Sequence, residues 1–173
     1  MPLRHSLPRI RVLSRQQAVG IDCAAVRLFT LFCLARARHA GQPRTWAEVA
    51  VTVTDARGMA CVKKRCFGRE EDTDVVALAY APVPGEGPGW MAEIFVNAER
   101  ARCSAPCGRW STAREFALYL AHGCDHLGGA CDRTRSEQTR MRRRELRWIR
   151  EADRLHPIEQ LVRSRETRRK GRA

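Results

Sequence analysis

Apolar and polar positions along the chain recur with two periods, one of strands and one of helices, and the two alternate. Ile10 to Leu13 is a short apolar run read as a first strand. Asp22 can then cap a helix whose apolar positions Val26, Phe29, Leu31, Phe32 and Ala35 keep to one broad face, with Gly41 and Pro43 closing it. From Glu48 to Thr54 the pattern alternates, Val49, Val51 and Val53 against Ala50, Thr52 and Thr54, as a half-buried strand requires. Asp55 begins a short helix to about Cys66. Thr73 to Tyr80 is rich in valine and reads as another strand, and Ala92 to Val96 as a further one, connected through the proline- and glycine-bearing 82–89 segment.

Thr112-Ala-Arg-Glu115 has the form of a capping box, and Phe116, Leu118, Tyr119 and Leu120 continue a mostly buried helix that delivers His122 and His126 at its end. A second long helix, about Ser136 to Leu155, carries Met141, Leu146 and Ile149 on a narrow apolar stripe, with the Arg140 to Arg144 run as a solvated face. No internal repeat is present. Strands alternating with helices over 173 residues predict a single α/β (α+β) domain, with a small mixed sheet of about four strands flanked by helices and the site at the end of the central helix. Residues 1–9 read as an N-terminal extension, 10–158 as the folded domain, and 159–173 as a basic tail. In that tail Arg163, Arg165, Arg168, Arg169, Lys170 and Arg172 favour disorder or phosphate binding.

Lysine and arginine total 32 against 19 acidic residues, a net charge of +13, which is the electrostatic footprint of a nucleic-acid partner or simply a basic surface. No run of about eighteen apolar residues occurs, so no membrane partner is expected. Arg4, Arg9, Arg11 and Arg15 near the start hint at a transit peptide. Pro2 and Pro8 oppose the amphipathic helix this needs, and a cytoplasmic location is the reading. Eight cysteines without a secretory signal are read as free thiols, several of them in apolar helical patterns. Cys103 and Cys107 with Cys124 and Cys131 form a loose alternative set for a second, structural metal site.

The chemistry concentrates in His122-Gly-Cys-Asp-His126-Leu-Gly-Gly129-Ala-Cys-Asp132. Helix residues four apart differ by about 40° in direction and about 6 Å in height, so His122 and His126 can bind one ion from a single face. Gly129 supplies a turn that often needs positive φ, bringing Asp132 round as third ligand. Imidazole and carboxylate donors with one position left open point to a single catalytic Zn²⁺. The string also has the HxxxHxxGxxD spacing of metzincin proteases. Those carry a glutamate directly after the first histidine as general base, and here that position is Gly123. An HxxxH pair alone is also common on ordinary helices, and His5, His39 and His156, which lack such company, read as surface residues.

In order and spacing these pieces resemble the YbeY family of metal-dependent endoribonucleases, over roughly Ile10 to Ala152. Within the family pattern HGxLHLxGYDH, His122, Gly123, His126, Leu127 and Gly129 fall in place, and Asp72-Thr73-Asp74-Val75-Val76-Ala77-Leu78 resembles the PTDVLSF-like strand. Met91-Ala92-Glu93-Ile94-Phe95-Val96 and Ser14-Arg15-Gln16 resemble the following strand and the opening segment. The resemblance implies single-strand-directed cleavage in ribosomal RNA maturation, with ribosomal RNA and the small ribosomal subunit as partners and no nucleotide cofactor.

Three departures qualify it. Asp132 stands for the family's third histidine; its charge partly neutralises the ion, predicting a weaker Lewis acid than three histidines give. The family's functional arginine aligns with Phe67, and Arg65 or Arg69 are the neighbouring substitutes. Ala130 and Cys131 replace a tyrosine–aspartate pair, and Asp125 replaces a leucine, either facing solvent or orienting a ligand histidine from behind. Phe67 supports a rival reading, a catalytically impaired RNA-binding or ribosome-associated factor that keeps its metal for structure.

Overall fold

The computed structural model describes residues 7–37, 44–85, 89–105 and 110–163. Along the chain run β1 (Arg9–Ser14), β2 (Gly20–Ile21), α1 (Cys23–Arg36), β3 (Trp46–Thr54), α2 (Ala56–Phe67), β4 (Val75–Tyr80), β5 (Trp90–Asn97), α3 (Ala98–Ser104), α4 (Thr112–Leu127) and α5 (Arg135–Leu155). A 3₁₀ turn, Ile158–Leu161, and β6 (Val162–Arg163) follow. The central sheet has the order β1-β3-β5-β4, with β1, β3 and β5 parallel and β4 antiparallel to β5. This is the small mixed sheet of a single α+β domain that the alternation of periods predicted.

The alternation in β3 sets the two faces of the sheet. Val49, Val51 and Val53 stand beside Ala92, Ile94 and Val96 of β5, and all six are buried. Against this face lie α1, through Val26, Phe29 and Cys33, and α4, which is buried at almost every position from Phe116 to Leu127. Burial all round marks α4 as the central helix, enclosed by the sheet, α1, α3 and α5. The opposite face, with Thr52, Thr54, Leu78, Glu93 and Phe95, meets α2, and a hollow of about 640 Å³ remains between them. Among the described residues no helix is long and apolar enough to cross a membrane.

Several expectations shift. Ser111, not Thr112, caps α4, accepting from the Arg114 N–H at 3.2 Å, so the third helical residue is Arg114 and no box forms. The reciprocal box is at α5, where Thr134 Oγ1 accepts from Glu137 N–H and Glu137 Oε2 accepts from Thr134 N–H at 2.9 Å. The fold also continues past residue 158: Ile158 and Leu161 are core residues, and β6 pairs antiparallel with β2. Helix α3 had no visible period because it has seven residues and buries only Ala98 and Ala101. The stripe of α5 includes Trp148, Ala152 and Glu145 besides Met141 and Ile149, while Leu146 is half-buried. The Gly41–Pro43 closure, part of the 82–89 connection and the basic tail beyond Arg163 lie outside the described residues.

Gly123 sets how closely α4 approaches the sheet. A Cβ there would lie 2.9 Å from Val75 Cγ2 and 3.1 Å from Ile94 Cγ2, both in the packed interior. Gly123→Ala is therefore expected to destabilise the fold by about 1–3 kcal/mol through overpacking, measured by urea unfolding. An unchanged midpoint would show that α4 has room to move off the sheet.

Candidate metal centre

The last two turns of α4 place His122 and His126 on one face, with their Nε2 atoms 3.1 Å apart. After the Gly128 cap the chain reverses at Gly129, where φ is +92°, a conformation that side chains disfavour. The reversal is held by the Gly129 N–H donating to His126 O and the Ala130 N–H to Asp125 O. It carries Asp132 back until its Oδ2 lies 3.7 Å from His122 Nε2 and 3.9 Å from His126 Nε2. One donor atom from each of the three residues lies within 4.8 Å of the others, and all three residues are part-exposed.

The Nδ1 partners decide which imidazole nitrogens carry protons. His126 Nδ1 faces the Ala130 carbonyl at 3.2 Å, and His122 Nδ1 faces Glu145 Oε1 at 2.6 Å. Both partners are acceptors, so both Nδ1 atoms donate, and in neutral rings both Nε2 lone pairs turn toward each other and toward a carboxylate. Three acceptors converging without a shared proton repel, and a cation among them relieves the repulsion. Tetrahedral zinc with bonds of about 2.0–2.1 Å separates its ligand atoms by roughly 3.4 Å. Separations of 3.1, 3.7 and 3.9 Å bracket that value, so these residues fit such an ion.

Glu145, on α5, is 2% exposed, and its carboxylate fixes the ring of His122. Burial alone would depress the His122 pKa. The bond to Glu145 and the negative charges of Glu145, Asp74 and Asp132 outweigh that and raise it above its ordinary value of 6.5. The sequence signal for Glu145 was legible: it lies four residues after Met141 and four before Ile149, inside an apolar stripe where a carboxylate must have a partner.

His122 and Asp132 open onto a hollow of about 260 Å³ lined also by Asp74, Tyr119, Gln138, Arg142 and Glu145 among others. Asp74 accepts from Val75 N–H and Thr73 Oγ1–H, both at Oδ1. The motif around Asp74 was read for its strand, and the carboxylate's place beside the ligands becomes visible only in three dimensions.

Asp125 does not face solvent. It is 0% exposed and receives the Arg144 guanidinium, with Nη2 2.6 Å and Nε 3.0 Å from Oδ2. Consecutive α5 residues thus bind consecutive turns of α4, Arg144 at Asp125 and Glu145 at His122. Phe67 is 52% exposed, and Arg69 is exposed in the loop beyond α2. Arg65 lines the large hollow on the sheet face opposite α4, away from the histidines. The cysteine set does not assemble among the described residues: Cys124 is buried in hydrogen-bonding contact with Cys33, Cys103 and Cys131 are exposed, and Cys107 lies outside them. All described cysteines are free. His156 is exposed at the end of α5, and His5 and His39 lie outside the described residues.

Comparison with known proteins gives a consistent picture. The profile of the family described as Endoribonuclease YbeY matches residues 12–153. Endoribonuclease YbeY of Bacillus subtilis is 29% identical over 103 residues, 55% of this chain and 66% of that protein. The Roseiflexus protein of the same name is 30% identical over 105 residues, 57% and 66% of the respective chains. The matches thus span just under two thirds of these relatives. A solution structure from Thermotoga maritima aligns with a TM-score of 0.53 at 16% identity, covering 87% of this chain and 95% of that one, which is a likeness of fold.

Glu145→Gln is expected to weaken zinc binding by about 10- to 100-fold in a chelator competition, since the ring loses its anionic partner; unchanged affinity would remove Glu145 from the site. Metal needs a neutral His122, so affinity should fall as pH drops through the raised pKa. Stability of the metal-free protein runs the other way: the His122 contribution is complete below about 6.5 and is lost as pH rises through the raised value, and His122→Asn should abolish that slope. Arg144→Met is expected to cost about 3–5 kcal/mol by removing the guanidinium that neutralises the buried Asp125 carboxylate. The double variant Asp125→Leu/Arg144→Leu should recover most of it in denaturant unfolding, and strictly additive losses would contradict this.

Proposed function

The chain belongs to the YbeY endoribonuclease family, and from that membership we propose that it is a metal-dependent endoribonuclease cleaving single-stranded RNA during ribosomal RNA maturation. The observation that carries the reading is the convergence of two imidazole Nε2 atoms and the Asp132 carboxylate on one point at the wall of a hollow. His122, His126 and Asp132 would hold a zinc ion there, which would supply Lewis acidity and lower the pKa of a water for attack on a phosphodiester.

The chain's own groups supply the rest. Glu145 keeps the His122 ring oriented and its Nδ1 protonated, so that only Nε2 faces the hollow. Asp74 has its two hydrogen bonds at Oδ1, leaving Oδ2 as the carboxylate oxygen we assign to take a proton within the hollow. The net charge of +13 holds the RNA backbone, and the small ribosomal subunit is the partner that this substrate class implies. The second reading, an RNA-binding factor without cleavage, draws on Phe67, an exposed apolar side chain where the resemblance calls for a guanidinium.

Zinc-loaded protein is expected to cut a single-stranded ribosomal RNA fragment, with cleavage lost on chelation and in His122→Ala. RNA affinity should fall steeply between low and physiological salt, as several phosphate contacts require. Salt-sensitive binding with no cleavage by the loaded wild type would decide for the second reading.

A further inference from the structure

We propose that Arg142 is the guanidinium that meets the phosphodiester in the metal hollow, in the role that the resemblance assigns to the position occupied here by Phe67. The proposal rests on the endoribonuclease reading and deepens it. Gln138, Arg142 and Glu145 follow one another at i, i+4 and i+7 along α5, and all three line the hollow beside His122 and Asp132. Among the described lining residues Arg142 is the one lysine or arginine; the other charged groups there, Asp74, Asp132 and Glu145, are carboxylates. Among the described residues of this wall, Arg142 and a bound cation are the points of positive charge that a phosphodiester would meet, set against three carboxylates.

Three other described guanidiniums are committed or lie elsewhere. Arg144 is bound to Asp125, and Arg100 to Asp72 at 2.8 Å. Arg65 lies across the sheet. Arg142 makes no ion pair with any described carboxylate, while its guanidinium carbon sits 5.3 Å from the centroid of the Trp110 ring, a ring that Arg114 also approaches at 5.2 Å. Cation–π contact holds the side chain at the rim without using up its five N–H donors, which remain for phosphate oxygens. Trp110 is thus a positioning residue for Arg142.

The test uses zinc-loaded full-length protein, a single-stranded RNA substrate and single-turnover conditions. Arg142→Ala is expected to slow cleavage by about 10²–10³-fold with zinc content unchanged, as for loss of one charge-stabilising donor. Arg142→Lys should recover part of the rate, and Arg143→Ala, the same charge loss at the next, exposed position, should stay within about twofold of wild type. Trp110→Leu should slow cleavage and Trp110→Phe restore it; a wild-type rate in Trp110→Leu would remove Trp110 from the account. Equal rates in the Arg142 and Arg143 variants, with an active wild type, would overturn the assignment and leave the endoribonuclease reading standing. If wild type does not cleave, that reading fails, and Arg142 is judged by affinity for a 2′-O-methyl single-stranded oligonucleotide. About tenfold weaker binding in Arg142→Ala than in Arg143→Ala then supports the phosphate contact, and equal binding overturns it.

Discussion

Two imidazole nitrogens face each other 3.1 Å apart because the opposite nitrogen of each ring is engaged by an acceptor, Glu145 for His122 and the Ala130 carbonyl for His126. This forced meeting of lone pairs is the constraint on which the rest of the site depends. Without those acceptors either ring could carry its proton on Nε2, and the pair would close into a hydrogen bond of its own. With them, the unliganded arrangement is electrostatically unsatisfied and asks for a cation. The fold is arranged to keep it so: Gly123 brings α4 down onto Val75 and Ile94, and Gly129 turns the chain so that a third donor arrives.

Helix α5 is the second part of that arrangement. Its residues Arg144 and Glu145 present opposite charges to α4, one neutralising the buried Asp125 and the other orienting His122. A buried ion pair adds little net stability over well-packed apolar groups. What the Asp125–Arg144 pair adds is a fixed register between the two helices, and the same register sets the distance from Glu145 to His122. The carboxylate at 132 fits this economy of charge, since a wall with Asp74, Asp132 and Glu145 both attracts a divalent ion and repels an RNA phosphate that lacks one.

Much of this was legible in the sequence. The i, i+4 histidines, the glycine at positive φ and the returning aspartate are local features whose geometry follows from helix pitch and backbone sterics, and Asp22 and Asp55 do cap their helices. The alternating valines of β3 told which face would be buried. What stayed hidden depends on contacts between elements. Two-residue strands such as β2 and β6 exist only through each other, and α3 is too short to show a period. Asp125 looked like a surface residue because nothing local reveals Arg144 above it. Likewise Arg65 is near Phe67 in sequence and across the sheet from the histidines, whereas Arg142, far off in the chain, lines their hollow.

The most direct measurement of the central claim is zinc K-edge X-ray absorption on protein loaded with one equivalent of the metal. The expected spectrum shows nitrogen and oxygen neighbours only, at about 2.0–2.1 Å, with multiple scattering from two imidazoles that drops to one in His126→Ala. A sulfur shell at about 2.3 Å, or no imidazole scattering, would place the ion elsewhere and contradict it.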